Sequence, residues 1–122
     1  MDEKLLMKTA LLAGKILMEN GAEVYRTEDT LERIIRKGIG ETREDEFYTH
    51  VTLTGIFIRL ETIGTDFRRV GDRTYNLTKT TAVNTLSRAY TSGQISLADM
   101  YESLKRVQDE KSPLPNWFKV LS

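Results

Sequence analysis

The sequence predicts an α+β domain in which two N-terminal helices, a three-stranded antiparallel β-meander and two C-terminal helices follow in the order ααβββαα. Apolar residues recur at helical spacing through residues 3–37, alternate through residues 47–70, and return to helical spacing through residues 77–108. Glycines and polar clusters separate these segments. An antiparallel sheet with helices covering one face is the most economical arrangement of them.

The first helix is predicted over residues 3–20 and is expected to be the central element of the domain. Its apolar side chains surround nearly the whole circumference, and its charged side chains fall in one narrow stripe. Gly14 allows another segment of the chain to approach closely. Asn20-Gly21 is the predicted end, because these two residue types adopt positive φ at the lowest cost.

The second helix is predicted over residues 22–37, with Gly38 ending it. Its core-facing stripe, about 100° wide, contains Val24, Thr27, Leu31, Ile34 and Ile35. Two acid-first pairs at i,i+4 spacing lie outside the stripe: Asp29 with Arg33, and Glu32 with Arg36. A solvated helix surface explains these four residues. Residues 39–46 are turn-forming and charged, so they are predicted to be a connection.

The alternating segment predicts three strands. The first two cover residues 47–52 and 56–61, and the short connection between them forces an antiparallel hairpin. A second turn leads into a shorter strand at residues 66–70. The sequence does not determine the order of the strands in the sheet.

The last two helices are identified by their caps. Asn76 is the predicted N-cap of a helix over residues 77–92, because its side-chain oxygen can accept hydrogen bonds from the first turn. Ser96 with Asp99 resembles a capping box at the start of a helix that extends to about Gln108.

Domain organisation follows from these elements. One soluble domain is predicted over residues 1–110, followed by a proline-containing linker over residues 111–122. The apolar run near Leu5–Met18 is too short to span a bilayer and contains two lysines. The N-terminus lacks the pattern of a cleavable signal peptide.

Composition excludes several classes of function. The 122 residues include no cysteine, which excludes disulfides, thiolate metal sites and thiol nucleophiles. The 18 basic and 18 acidic residues give a formal net charge of zero, whereas nucleic-acid binders usually carry a basic excess, so no nucleic-acid partner is expected. The only histidine, His50, has no acidic cluster at metal-binding spacing nearby. No metal, cofactor or catalytic residue is predicted.

The first candidate site consists of Glu23, Arg26 and Glu28, the polar residues next to the first helix. On a helical projection Glu23 and Glu28 lie about 140° apart, on opposite borders of the apolar stripe. They therefore cannot form a two-carboxylate dyad, and each needs a partner from the sheet or from a later helix. The alternative, which the sequence alone favours, is that these residues cap the helix and pair with neighbours.

Two further groups are candidates. Thr52 and Thr54 place two hydroxyls around a tight turn at Gly55, although these residue types usually serve hairpin conformation. Asn84 and Arg88 lie one helical turn apart. An arginine fork there would suit the carboxylate of an amino acid or a dicarboxylate. A solvated helix surface explains the pair equally well.

Four segments resemble, in the same order, the threonine/serine exporter family. They are AGKILMENGAEVYRTEDTLERI, VTLTGIFIRL, RRVGDRTYNLTKTTAVNTLSR and SGQISLADMYESL. Together they cover almost the whole chain. Each motif is short, so it is the occurrence of all four in the same order that makes the resemblance specific to this family. The family's hairpin commonly reads Thr-Pro-Thr-Gly, whereas Leu53 stands here in the proline position.

The resemblance implies which residues form a site. Positions that the family marks fall on Gly21, Glu23, Arg26, Glu28, Thr52, Thr54, Gly55, Arg69, Lys79, Asn84 and Arg88. The ligand-binding set predicted from them is Glu23, Arg26, Glu28, Thr52, Thr54, Lys79, Asn84 and Arg88. The resemblance favours a shared polar site around Glu23, Arg26 and Asn84, but does not identify its ligand.

The resemblance also implies a function. Family members are regarded as bacterial exporters of small amino acids, and some relatives are assigned to dicarboxylates such as succinate and work beside a small membrane partner. This chain would then be the amino-terminal accessory or regulatory domain at the cytoplasmic face of the inner membrane, working with a membrane-spanning half. The alternative is a stand-alone small-molecule-binding or hydrolase-like domain with its site at the helix–sheet junction. A homo-oligomerisation domain is the third possibility.

Overall fold

The computed structural model describes residues 2–40 and 47–109. Its elements are α1 (Glu3–Glu19), α2 (Val24–Ile39), β1 (Phe47–Val51), β2 (Gly55–Leu60), β3 (Gly64–Arg69), α3 (Leu77–Thr91) and α4 (Leu97–Asp109). This order confirms the predicted ααβββαα architecture. The predicted linker at residues 111–122 and most of the predicted connection at residues 39–46 lie outside the described residues.

Helix α1 is the central element, as its apolar circumference predicted. It contacts the other three helices and strands β2 and β3. Leu6, Leu11 and Leu17 are at most 2% exposed. Gly14 lies where α2 and β2 meet α1, since a Cβ built on it would lie 3.1 Å from Leu31 Cδ1 and 3.2 Å from Ile56 Cδ1.

The sheet is a meander in the order β1-β2-β3, and both pairs are antiparallel. Ile56, Ile58 and Leu60 of β2 point inward and are at most 1% exposed, because helices cover this face. Alternation places Phe57 and Arg59 on the opposite, exposed face. The sheet thus has one face in the core and one uncovered face.

Both ends of α2 differ from the sequence prediction, and the helix begins at Val24, two residues later than predicted. Gly38 does not end α2, which continues to Ile39 and is closed by Gly40 at φ 100°. Gly38 instead allows α1 to approach, since a Cβ there would lie 2.6 Å from both δ carbons of Leu6. At α3 the predicted cap is confirmed, because Asn76 accepts a hydrogen bond from the Lys79 amide.

None of the helices in the described ranges has both the length and the apolar character needed to cross a membrane.

Candidate functional site

The loop before α3 is held against the end of α1. Arg73 donates from Nη1 to the carbonyl oxygen of Met18 at 2.7 Å and from Nη2 to that of Ala22 at 2.8 Å. The Asn76 amide donates to the carbonyl oxygen of Asn20 at 3.1 Å. The carbonyls of Met18 and Asn20 are among those that the end of a helix leaves unpaired, and that of Ala22 lies in the turn before α2. They fix the start of α3 beside the turn that leads into α2.

Gly21 makes this close approach possible. Its φ is 103°, a conformation that residues with a Cβ rarely adopt. A Cβ at this position would lie 2.7 Å from Tyr75 Cδ1 and 3.3 Å from the carbonyl oxygen of Thr74. The prediction that Asn20-Gly21 ends the first helix is confirmed, and Gly21 also makes room for the loop before α3.

A cleft of about 1000 Å³ lies between α2 and α3, next to the end of α1. Five of the eight predicted ligand-binding residues line it: Glu23, Arg26, Glu28, Asn84 and Arg88. The first three come from the start of α2, and the other two come from α3. The structure therefore brings together two groups of residues that are about 60 positions apart in the sequence.

The charged groups of the cleft are of both signs. Asp29 and Arg33 pair with each other at 3.0 Å on the solvent side of α2. Glu23 and Arg26 are exposed and form no ion pair within the described ranges. The Tyr25 hydroxyl and, less strongly, the Glu23 carboxylate raise the pKa of Arg26 above its ordinary value.

Glu28 has a structural contact in addition to its place in the cleft. Its Oε2 accepts a hydrogen bond of 2.9 Å from the Val51 amide at the end of β1. Glu28 is half-buried, and its partner comes from the sheet. This bond ties the start of α2 to the hairpin.

Replacing Glu28 with alanine is expected to lower the free energy of unfolding by about 1.5 kcal/mol, because it leaves the Val51 amide without its charged acceptor. Glutamine keeps an oxygen in the same place and should cost less than half as much. Urea denaturation followed by circular dichroism measures both. Equal stability of the wild type and Glu28→Ala would show that this bond contributes nothing.

The other three predicted residues lie away from the cleft. Lys79 Nζ donates to the carbonyl oxygen of Gln108 at 2.9 Å, which joins α3 to the end of α4. Thr52 Oγ1 accepts from the Gly55 amide at 3.0 Å and lies 3.3 Å from Thr54 Oγ1. The two threonines thus bond within the hairpin turn.

The rim of the cleft was not predicted from the sequence. Tyr25, Tyr75 and Leu77 line it and are 65%, 86% and 80% exposed. No periodicity identifies them, because the loop before α3 brings Tyr75 and Leu77 to α2. Thr27 also lines the cleft, and its buried hydroxyl has no hydrogen-bond partner within the described residues.

Metal-binding groups are absent from the part of the chain that the structure describes. No three histidine, aspartate or glutamate side chains there come close enough together to hold an ion. The side chains that line the cleft can contact a ligand through ionic contacts, amide hydrogen bonds and an apolar rim.

The fold and the cleft together define a small α+β domain with a polar cleft between two of its helices. Residues 8–122 match the family described as "Putative threonine/serine exporter", and the chain belongs to this family. It is thereby associated with threonine/serine export and with membrane transport. Searches of curated proteins and of solved structures found no match.

Proposed function

We propose that this chain is the cytoplasmic regulatory domain of a bacterial exporter of threonine and serine, and that its cleft binds the exported amino acid. Membership of the exporter family supports the transport role. Its partners would be the membrane-spanning half of the same protein and a small membrane subunit. The domain would report the concentration of the amino acid to the transport machinery and would not itself conduct.

The cleft carries this proposal because it combines both charges that a zwitterion requires. Arg26 on α2 and Arg88 on α3 offer guanidinium groups to a carboxylate. Glu23 offers an acceptor for an ammonium group. Asn84 also lines the cleft and is half-buried, and it supplies an amide for the polar side chain of the ligand.

The start of α2 adds to the attraction for a carboxylate. Glu23 occupies the N-cap position, but its side chain makes no capping hydrogen bond. The first-turn N–H groups and the positive end of the helix dipole therefore remain without a side-chain cap. A helix start with an arginine in its first turn is a favourable place for a carboxylate.

Dicarboxylates are the second candidate ligands. Two arginines on facing helices would suit two carboxylates, and the cleft volume of about 1000 Å³ exceeds what one small amino acid fills. The Glu23 carboxylate favours a ligand that also carries an ammonium group. Succinate is accordingly the comparison ligand.

Isothermal titration calorimetry of the 122-residue chain with L-threonine, L-serine and succinate tests the proposal. We expect saturable binding of an amino acid, and about tenfold or greater weakening in Arg26→Gln and in Arg88→Gln, the cost of one charged hydrogen bond. Arg106→Gln is the matched control, because Arg106 is exposed on α4 and does not line the cleft.

The outcomes separate the candidates clearly. Tighter binding of succinate than of either amino acid would favour a dicarboxylate exporter. Equal weakening by Arg106→Gln would mean that general charge, and not the cleft, attracts the ligand. The absence of binding to all three ligands would contradict the proposal.

A hydrolase-like role receives less support from the geometry. Ser87 lines the cleft and is buried. The only histidine, His50, lies on the uncovered face of the sheet, with its ring centroid 6.3 Å from that of Tyr48 and 6.2 Å from that of Phe57. No Ser–His pair therefore forms in the cleft.

A further inference from the structure

The uncovered face of the sheet carries a continuous row of aromatic rings. His50, Phe57 and Phe67 are direct neighbours in the register of the three strands. The ring centroids of Phe57 and Phe67 are 5.7 Å apart, and Tyr48 extends the row beside His50. Tyr48 and Phe67 are 61% and 57% exposed. We call these four residues the aromatic row.

Burial in the core does not explain the aromatic row. The helices cover the opposite face of the sheet, where Ile56 and Ile58 are 0% exposed. Contiguous exposed aromatic side chains commonly mark a surface that meets a partner. The row is also separate from the cleft, because none of its members lines the cleft.

The same face carries positive charge. Arg59 is paired in register with Tyr48, and Arg69 is paired with Gly55. Both arginines are exposed, and alternation places them on the side of the aromatic row. None of the described strand positions on this face is acidic, and the exposed Glu61 follows directly after β2, so the strand positions themselves carry the positive charge. The occupant that complements it is therefore anionic.

We propose that the aromatic row with Arg59 and Arg69 is a docking surface for an anionic lipid bilayer. Aromatic side chains favour the headgroup region, and arginines near it are attracted to acidic phospholipids. Membership of the exporter family associates the chain with membrane transport. The inference goes beyond the proposed ligand-binding function and does not depend on the cleft.

Two other occupants fit less well. A second copy packed face to face would bring arginines against arginines, which opposes association. Single-stranded nucleic acid stacks on exposed aromatic rings, but the chain has a formal net charge of zero and lacks the basic excess that such binders use. Both become outcomes of the test.

Flotation of the 122-residue chain with vesicles tests the proposal. We expect binding to vesicles of equal parts phosphatidylcholine and phosphatidylglycerol, and little binding to phosphatidylcholine alone. Arg59→Gln and Arg69→Gln should each weaken binding about fivefold, and added salt should weaken it further. Phe67→Ser should also weaken it. Arg106→Gln, the control on α4, should leave it unchanged.

Four results would overturn the proposal. They are no binding to the acidic vesicles, equal binding to both kinds of vesicle, equal weakening by Arg106→Gln, and binding that persists unchanged in the Arg59→Gln/Arg69→Gln double variant. Dimerisation that Phe67→Ser abolishes, measured by light scattering, would assign the surface to a second copy instead. Binding of oligouridylate that requires the same arginines would assign it to nucleic acid.

Discussion

Replacing Gly14 with valine is expected to lower the free energy of unfolding by about 3 kcal/mol. A Cβ at Gly14 already lies 3.1 Å from Leu31 Cδ1 and 3.2 Å from Ile56 Cδ1. Leu31 belongs to α2 and Ile56 to β2, and both are 0% exposed, so neither can move aside into solvent. The γ methyl groups of valine would force α1 away from its neighbours. Urea denaturation followed by circular dichroism measures the loss.

Gly14→Ala is the matched control. Contacts of 3.1–3.2 Å require the neighbouring side chains to give by a few tenths of an ångström. Alanine in turn gains about 1 kcal/mol of helix propensity over glycine. We therefore expect the free energy of unfolding to change by less than about 1 kcal/mol. If valine were tolerated as well as alanine, α1 would not be enclosed at this point.

Replacing Arg73 with methionine is expected to lower the free energy of unfolding by about 3 kcal/mol. The change removes two charge-assisted hydrogen bonds, of 2.7 Å to the carbonyl oxygen of Met18 and 2.8 Å to that of Ala22. Each such bond contributes about 1.5–3 kcal/mol, and the lower figure applies because the contact with Ala22 is exposed. Methionine keeps the apolar stem of the side chain, so the loss of unfolding free energy measured by urea denaturation is the contribution of the guanidinium group.

Two variants control this result. Arg106→Met removes a guanidinium from the exposed surface of α4 and should change the free energy of unfolding by less than about 0.5 kcal/mol. Arg73→Lys keeps the charge but lacks the fork that reaches two carbonyls, so its loss should be intermediate. If Arg73→Met were as stable as Arg106→Met, the loop before α3 would be held by its other contacts.

Hydrophobic spacing predicted most of the fold because it records which side of each element is buried. Helix α1 is apolar nearly all round, and such a helix is stable only where other elements cover it on several sides. The strand alternation likewise separates Ile56 and Ile58, which lie in the core, from Phe57, which lies on the uncovered face. These features depend on local spacing alone, so the sequence was sufficient for them.

The end of α2 was predicted wrongly because two glycines lie close together. A glycine signals either a helix end or a close approach, and the sequence does not distinguish these roles. Gly40 takes the first role, at φ 100°. Gly38 takes the second, against Leu6 of α1, and this role depends on a contact between residues far apart in the chain.

Contacts between distant elements decide which of the predicted binding residues line the cleft. Asn84 and Arg88 line the cleft because the loop before α3 is bonded to the end of α1. Lys79 lies earlier on the same helix, but its amine reaches α4. Arg73 was missed because its partners, Met18 and Ala22, are more than 50 positions away. Local spacing carries no signal for such bonds.

The central claim is that the cleft between α2 and α3 binds an amino acid. An amide NMR titration of the 122-residue chain with L-threonine tests it most directly. We expect saturable shifts in the cleft-lining residues within 20–33 and 75–88, with residues 56–60 of the sheet unchanged. Shifts that do not saturate, or that cluster on the sheet, would contradict the assignment of the cleft as the amino-acid site.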